Sequence, residues 1–144
     1  MADDASPVQA DEQVLRRVLF REDWYDPKLD VPIHRYAFQP MSQDSRGISV
    51  FRERFIAASD LAAAGPNPAG YIVAALDVED IRSIDLGTTR LSVVADPIED
   101  LPGHALIPEL NTTTAKKLAK EMQARLAQLA SRKIVYPPDR GNAA

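Results

Sequence analysis

The residues able to carry chemistry in this chain are few, and the stretch Arg90 to Pro108 (RLSVVADPIEDLPGHALIP) holds the densest group of them. His104 follows a loop that contains Asp96, Glu99 and Asp100. A histidine beside carboxylates is held in one tautomer and made more basic, which is what a general acid or base near neutral pH requires. The same oxygens and imidazole resemble the donors of a hard cation, but a single histidine without ligand spacing gives no reason to expect a metal. The plainer expectation is a structural histidine bonded to its own loop. The turn before it is legible: Leu101, Pro102, Gly103 and His104 fit a type II turn, in which proline presets φ and glycine takes the positive φ. His104 is therefore expected to begin a strand.

The other histidine, His34, is followed directly by Arg35. If its strand shares a sheet with that of His104, then His34, Arg35, Arg46, Ser49 and His104 would line one cleft. Such a set suits a nucleotide or phosphate ligand, because arginine offers a bidentate fork and serine a hydroxyl donor. Against it, alternation over Ile33–Phe38 places His34 beside Tyr36 and Phe38, the pattern of a core-edge residue. No phosphate-binding loop, dinucleotide fingerprint, nucleophile elbow or paired-histidine zinc helix is present. No cofactor is expected, and whether the chain is an enzyme stays open.

The elements that would position these side chains follow from periodicity. Asp11 to Phe20 predicts a short helix, since Val14, Leu15, Val18 and Leu19 share one helical face. Arg21 to Pro32 predicts a surface loop anchored by Trp24 and Tyr25, and Ile33–Phe38 an edge strand between prolines. Ser42 to Gly47 predicts a turn, Ile48–Phe51 a return strand, and Arg52 to Ala64 a helix. Tyr71 to Leu76 is apolar on both faces, as a central strand is. Asp77 would cap a helix closed by Gly87, with Ile81 and Ile84 inward. Arg90 to Ala95 reads as a strand. Asn111 to Thr114 introduces an amphipathic helix with Ala115, Leu118, Met122, Leu126 and Leu129 on one face, and Ile134 to Tyr136 adds a short strand. The fold class is α+β: one domain over 11–136, a small mixed or antiparallel sheet, and three to four helices including the C-terminal amphipathic one. Residues 1–10 and 137–144 read as disordered tails.

At 144 residues one core is expected. The absence of cysteine removes disulfides, thiol nucleophiles and thiolate metal sites. No apolar run of about 18 residues occurs, so no membrane span is expected, and a soluble cytoplasmic protein is the default reading. The net charge of -4 is uneven: from Thr113 onward seven Lys or Arg face two acids, about +5, leaving about -9 before it. The basic helix face at Lys116, Lys117 and Lys120 makes nucleic acid a conceivable partner through residues 113–133, although the acidic remainder opposes a phosphate backbone.

Three segments, AFQP (Ala37 to Pro40), GISVFR (Gly47 to Arg52) and ADPIEDLPGHALIP (Ala95 to Pro108), resemble a group of small uncharacterised bacterial proteins. In those, AF-x-P, SV-x-R and DP followed by P-x-H-A recur in this order. The resemblance implies no activity. It places His104 in the most distinctive segment, and the serine-type residues expected before the AF segment are here Arg35 and Tyr36. Taken together, the expectation is an interaction or accessory protein of a bacterial multi-protein system whose partner is another protein. The alternatives are a nucleotide- or phosphate-binding enzyme and a nucleic-acid-binding protein.

Overall fold

The computed structural model describes residues 3–40, 46–87, 89–112 and 115–137. Six strands form one antiparallel sheet: β1 (Gln13–Leu19), β2 (Ile48–Arg52), β3 (Tyr71–Asp77), β4 (Val94–Ala95), β5 (His104–Ile107) and β6 (Ile134–Tyr136). Their spatial order is β4-β5-β2-β1-β3-β6. Four helices accompany them, α1 (Ala58–Ala63), α2 (Val78–Arg82), α3 (Glu109–Thr112) and α4 (Lys116–Ser131), so the fold is α+β with a C-terminal amphipathic helix. Among the described residues no helix is long and apolar enough to cross a membrane.

Two expectations are corrected at the N-terminal side. Gln13–Leu19 is a central strand, not a helix, paired with β3 along its whole length from Gln13↔Asp77 to Leu19↔Tyr71. A strand buried on both faces loses the alternation that marks a half-exposed one. Val14 and Val18 face the larger core while Leu15 faces a smaller one, and their spacing mimics a helical stripe. The two arginines between them are accommodated instead of exposed. Arg16 donates from Nε and Nη2 to the Ala37 carbonyl at 3.0 and 2.7 Å and from Nη1 to that of Ser49 at 2.8 Å.

Ile33–Phe38 is likewise not a strand. Ile33 makes a single bridge to Tyr25, and Arg35–Phe38 turns into one round of 3-10 helix. The cause is local: His34 stands at the N-cap, and its Nδ1 accepts the Tyr36 N–H at 3.2 Å, a side-chain bond that competes with strand pairing. Ala37 and Phe38 then fall into the core together.

Elsewhere the expected elements are present with altered bounds. The helix after β2 is confined to Ala58–Ala63, because Arg52 still belongs to the strand and its N–H is held by the Gly103 carbonyl at 2.8 Å. Asp77 precedes α2 but gives it no side-chain cap; its Oδ1 accepts from Gln13 Nε2 at 2.8 Å. Of Arg90 to Ala95 only Val94–Ala95 pairs with β5, since the Ser92 N–H and hydroxyl are bound by the Glu109 carboxylate at 2.9 and 2.6 Å. Asn111 and Thr112 close α3, while Thr113 and Thr114 lie outside the described residues, as do Ser42 to Ser45 of the expected turn.

The larger core lies between one sheet face and α2, α4 and the 3-10 helix, with Met122, Leu126, Ala127 and Ala130 as the contribution of α4. The opposite face carries a smaller cluster around Leu15, Phe51, Ile56, Leu61, Val73 and Ala75, under α1. Residues 3–10, expected as part of a loose tail, are tied to Arg52: its Nη1 donates to the Ser6 carbonyl at 2.6 Å and to that of Asp4 at 3.2 Å. Met1 and Ala2, and residues 138–144 of the other expected tail, lie outside the described residues.

Candidate functional site

The candidate site lies where β2 and β5 pair, in the register Ser49↔Leu106, Val50↔Ala105 and Phe51↔His104. Because side chains alternate along a strand, Ser49, Phe51 and His104 stand on the smaller-core face, while Val50, Ala105 and Ile107 enter the larger core. His104 begins β5 as the Pro-Gly turn predicts, with Gly103 at φ +83°. The turn is held from outside too, since the Gly103 N–H donates to Asp4 Oδ2 at 2.9 Å.

His104 closes its own loop. The Asp96 N–H donates to the His104 carbonyl at 2.9 Å, and His104 Nδ1 lies 2.7 Å from the Asp96 carbonyl and 3.2 Å from its Oδ2. Both groups near Nδ1 are acceptors, so the hydrogen-bond network assigns the proton of the neutral ring to Nδ1. Nε2 then presents its lone pair, and it meets Ser49 Oγ at 2.9 Å. Arg46 grips the Asp96 carboxylate with two parallel bonds of 2.8 and 2.7 Å. The ring of Phe51 meets the imidazole edge-on at a centroid distance of 5.2 Å. The result is one relay: Arg46, Asp96, His104, Ser49. His104 is buried, Asp96 and Ser49 are partly covered, and Arg46 is exposed.

The structure thus joins three of the five residues expected in a shared cleft and separates the other two. His34 and Arg35 sit on the 3-10 helix that packs on α4, against the larger core and on the opposite face of the sheet from His104. His34 is exposed and its ring meets that of Tyr36 at a tilt, centroids 4.4 Å apart, and Arg35 donates to Gln123 Oε1 at 2.9 Å. Of the acidic loop, Asp96 joins the relay while Glu99 and Asp100 are exposed. Lys116, Lys117 and Lys120 are all exposed on α4; farther along, Arg125 pairs with Glu121 at 3.5 Å. Among the described residues no group of three His, Asp or Glu side chains is placed to hold a metal ion.

Two features escaped the sequence reading. Arg52, fully buried, forms a bidentate ion pair with Glu12. Burial works against the Glu12 carboxylate, but the bonds from Arg52 and the Gln9 amide, with the charges of Arg52 and Arg54, outweigh it and hold its pKa below the ordinary value. Arg17 is sandwiched between the rings of Phe51 (5.6 Å) and Tyr71 (5.5 Å). Burial draws its pKa down, and among the described residues no carboxylate pairs with it. Sequence offered one signal for both, cationic residues inside otherwise apolar stretches.

Comparison of the chain with protein-family models, with curated proteins and with solved structures returns no match.

Proposed function

We propose that this chain is a protein-interaction or accessory module that docks through the segment from Phe20 to Tyr36. One observation carries the reading: of the five large apolar side chains exposed among the described residues, Phe20, Leu29, Val31 and Tyr36 belong to this segment. Isolated exposed apolar residues need no explanation, but a concentration on one flap marks a contact surface. The flap is firmly mounted. Tyr25 is buried, Trp24 packs against the core, and the Asp26 N–H and the Trp24 carbonyl close the loop onto Pro32 and His34 at 2.8 Å each. A prearranged loop loses little entropy on binding, which favours association. The segment carries Glu22, Asp23, Asp26 and Asp30 against Arg21, Lys28 and Arg35, close to charge balance, so the matching partner surface is chiefly apolar.

The test is co-purification from cells that make the protein, followed by mass measurement of the complex. A stoichiometric companion is expected with the native chain and its loss with a Leu29→Asp, Val31→Asp double variant, whose melting temperature should stay near that of the native chain because both sites are exposed. A monomer without a companion, or a companion indifferent to the double variant, rejects the proposal.

A further inference from the structure

The relay at His104 is ordered beyond what closing a loop requires. The backbone bond from Asp96 N–H to the His104 carbonyl and the Ala95↔Ala105 pair already fix the hairpin. The imidazole adds a direction. With its proton on Nδ1, toward Asp96, its Nε2 lone pair receives the Ser49 hydroxyl at 2.9 Å. That is the polarity of a general base and a nucleophile: the base accepts from the hydroxyl while the Asp96 backbone carbonyl at 2.7 Å orients the ring, with the Asp96 carboxylate at 3.2 Å placed to stabilise an imidazolium. Arg46 holds both Asp96 carboxylate oxygens, which fixes the side chain in place. Exposure is distributed accordingly, because the base is buried whereas Ser49 is only partly so.

A second feature on the same sheet face indicates the substrate class. Arg17 lies over the ring of Phe51, the ring that also meets the His104 imidazole, half-sheltered between it and Tyr71 and without a carboxylate partner among the described residues. Its Nη1 donates to the Leu61 carbonyl at 3.4 Å, and a partly desolvated guanidinium with no counter-charge is stabilised by an arriving anion. Arg46, in contrast, is already committed to Asp96.

We propose that Ser49 is a nucleophile activated by His104 and that it acts on carboxylic esters bearing an anionic group held by Arg17. This goes beyond the docking reading and does not depend on it. In the acylation step the Ser49 Oγ–H proton passes to His104 Nε2 as Oγ bonds to the ester carbonyl carbon. The carbonyl electron pair moves to oxygen and returns as the carbon–alkoxy bond breaks, and the alcohol leaves with the proton from Nε2. Water then attacks the acyl group, gives its proton through Nε2 to restore Ser49, and releases the acid. The net reaction is ester plus water to acid plus alcohol.

Because the chain contains no cysteine, Ser49→Cys introduces a single thiol whose reactivity reports the base directly. Its rate of alkylation by iodoacetamide, followed by intact mass across pH, is expected to reach half-maximum at least one unit below the value of about 8.5 for a free thiol. In the native chain, p-nitrophenyl succinate is expected to leave an acyl adduct on the Ser49 peptide. Turnover should vanish in Ser49→Ala and fall about 100-fold in Asp96→Asn, with circular dichroism unchanged. Arg17→Met should raise KM for the succinyl ester about tenfold more than KM for p-nitrophenyl acetate, consistent with loss of one charge-assisted contact. A thiol titrating at or above the free value, or no adduct at Ser49, overturns the nucleophile; equal effects of Arg17→Met on both esters overturn the anionic substrate.

Discussion

Glu12 and Arg52 meet in two parallel hydrogen bonds, Nε to Oε1 at 2.8 Å and Nη2 to Oε2 at 2.6 Å, and the Arg52 side chain has no contact with solvent. The remaining donors of the guanidinium reach the carbonyls of Asp4, Ser6 and Pro7. One side chain from the end of β2 thereby fastens the whole segment leading into β1. Breaking a buried pair leaves an uncompensated charge, so Glu12→Gln should destabilise the chain by about 3 kcal/mol. Urea unfolding measures this. Asp23→Asn, which breaks the exposed pair with Arg21, should leave the midpoint nearly unmoved.

The same pair sets an acid limit. Glu12 has a folded-state pKa below its ordinary value of 4.5, so its contribution is complete above that value and is lost as pH falls through the lower folded value. Thermal melting of the native chain should therefore decline from about pH 4.5 downward more steeply than that of Glu12→Gln. Parallel slopes for the two proteins would show that other carboxyls carry the acid sensitivity.

Gly103 adopts φ +83°, and a Cβ there would lie 3.0 Å from Phe55 Cβ and 3.1 Å from the Arg52 carbonyl oxygen. Gly87 has φ +90° but nothing within 4 Å of such a Cβ. Both alanine substitutions incur left-handed strain of about 1 kcal/mol, and only Gly103→Ala adds a steric conflict beside the relay. Its melting temperature should fall further than that of Gly87→Ala.

Leu126 is fully buried where α4 crosses the sheet. Leu126→Ala should cost about 2–5 kcal/mol, the transfer and cavity terms together. Lys120→Ala, on the outward face of the same helix, should unfold at nearly the native denaturant concentration.

Legibility varied with how completely a segment's local signal agreed with its surroundings. Tyr71–Asp77, Ile134–Tyr136, α4 and the turn before His104 were readable because apolar period, proline and glycine all point the same way. In Gln13–Leu19 burial on both faces produces helical spacing, and the two arginines that interrupt it meet carbonyls and rings from distant segments. Ile33–Phe38 was misread because one histidine nitrogen, bonding two residues on, outweighed an alternating pattern. Within the site, His104 and Asp96 are near neighbours in sequence and were readable together, whereas their link to Ser49 depends on the β2–β5 register.

Sequence alone determined the composition class, the amphipathic α4, the buried strand β3 and the Pro-Gly turn that starts β5 at His104, all of which follow from local backbone preference and apolar spacing. Tertiary structure decided that His34 and His104 stand on opposite sheet faces, that Arg52 takes Glu12, and that Ser49 meets Nε2. Those outcomes depend on strand order and on one register. A shift of a single residue would turn every side chain of β2 to the other face, so no local pattern can specify them.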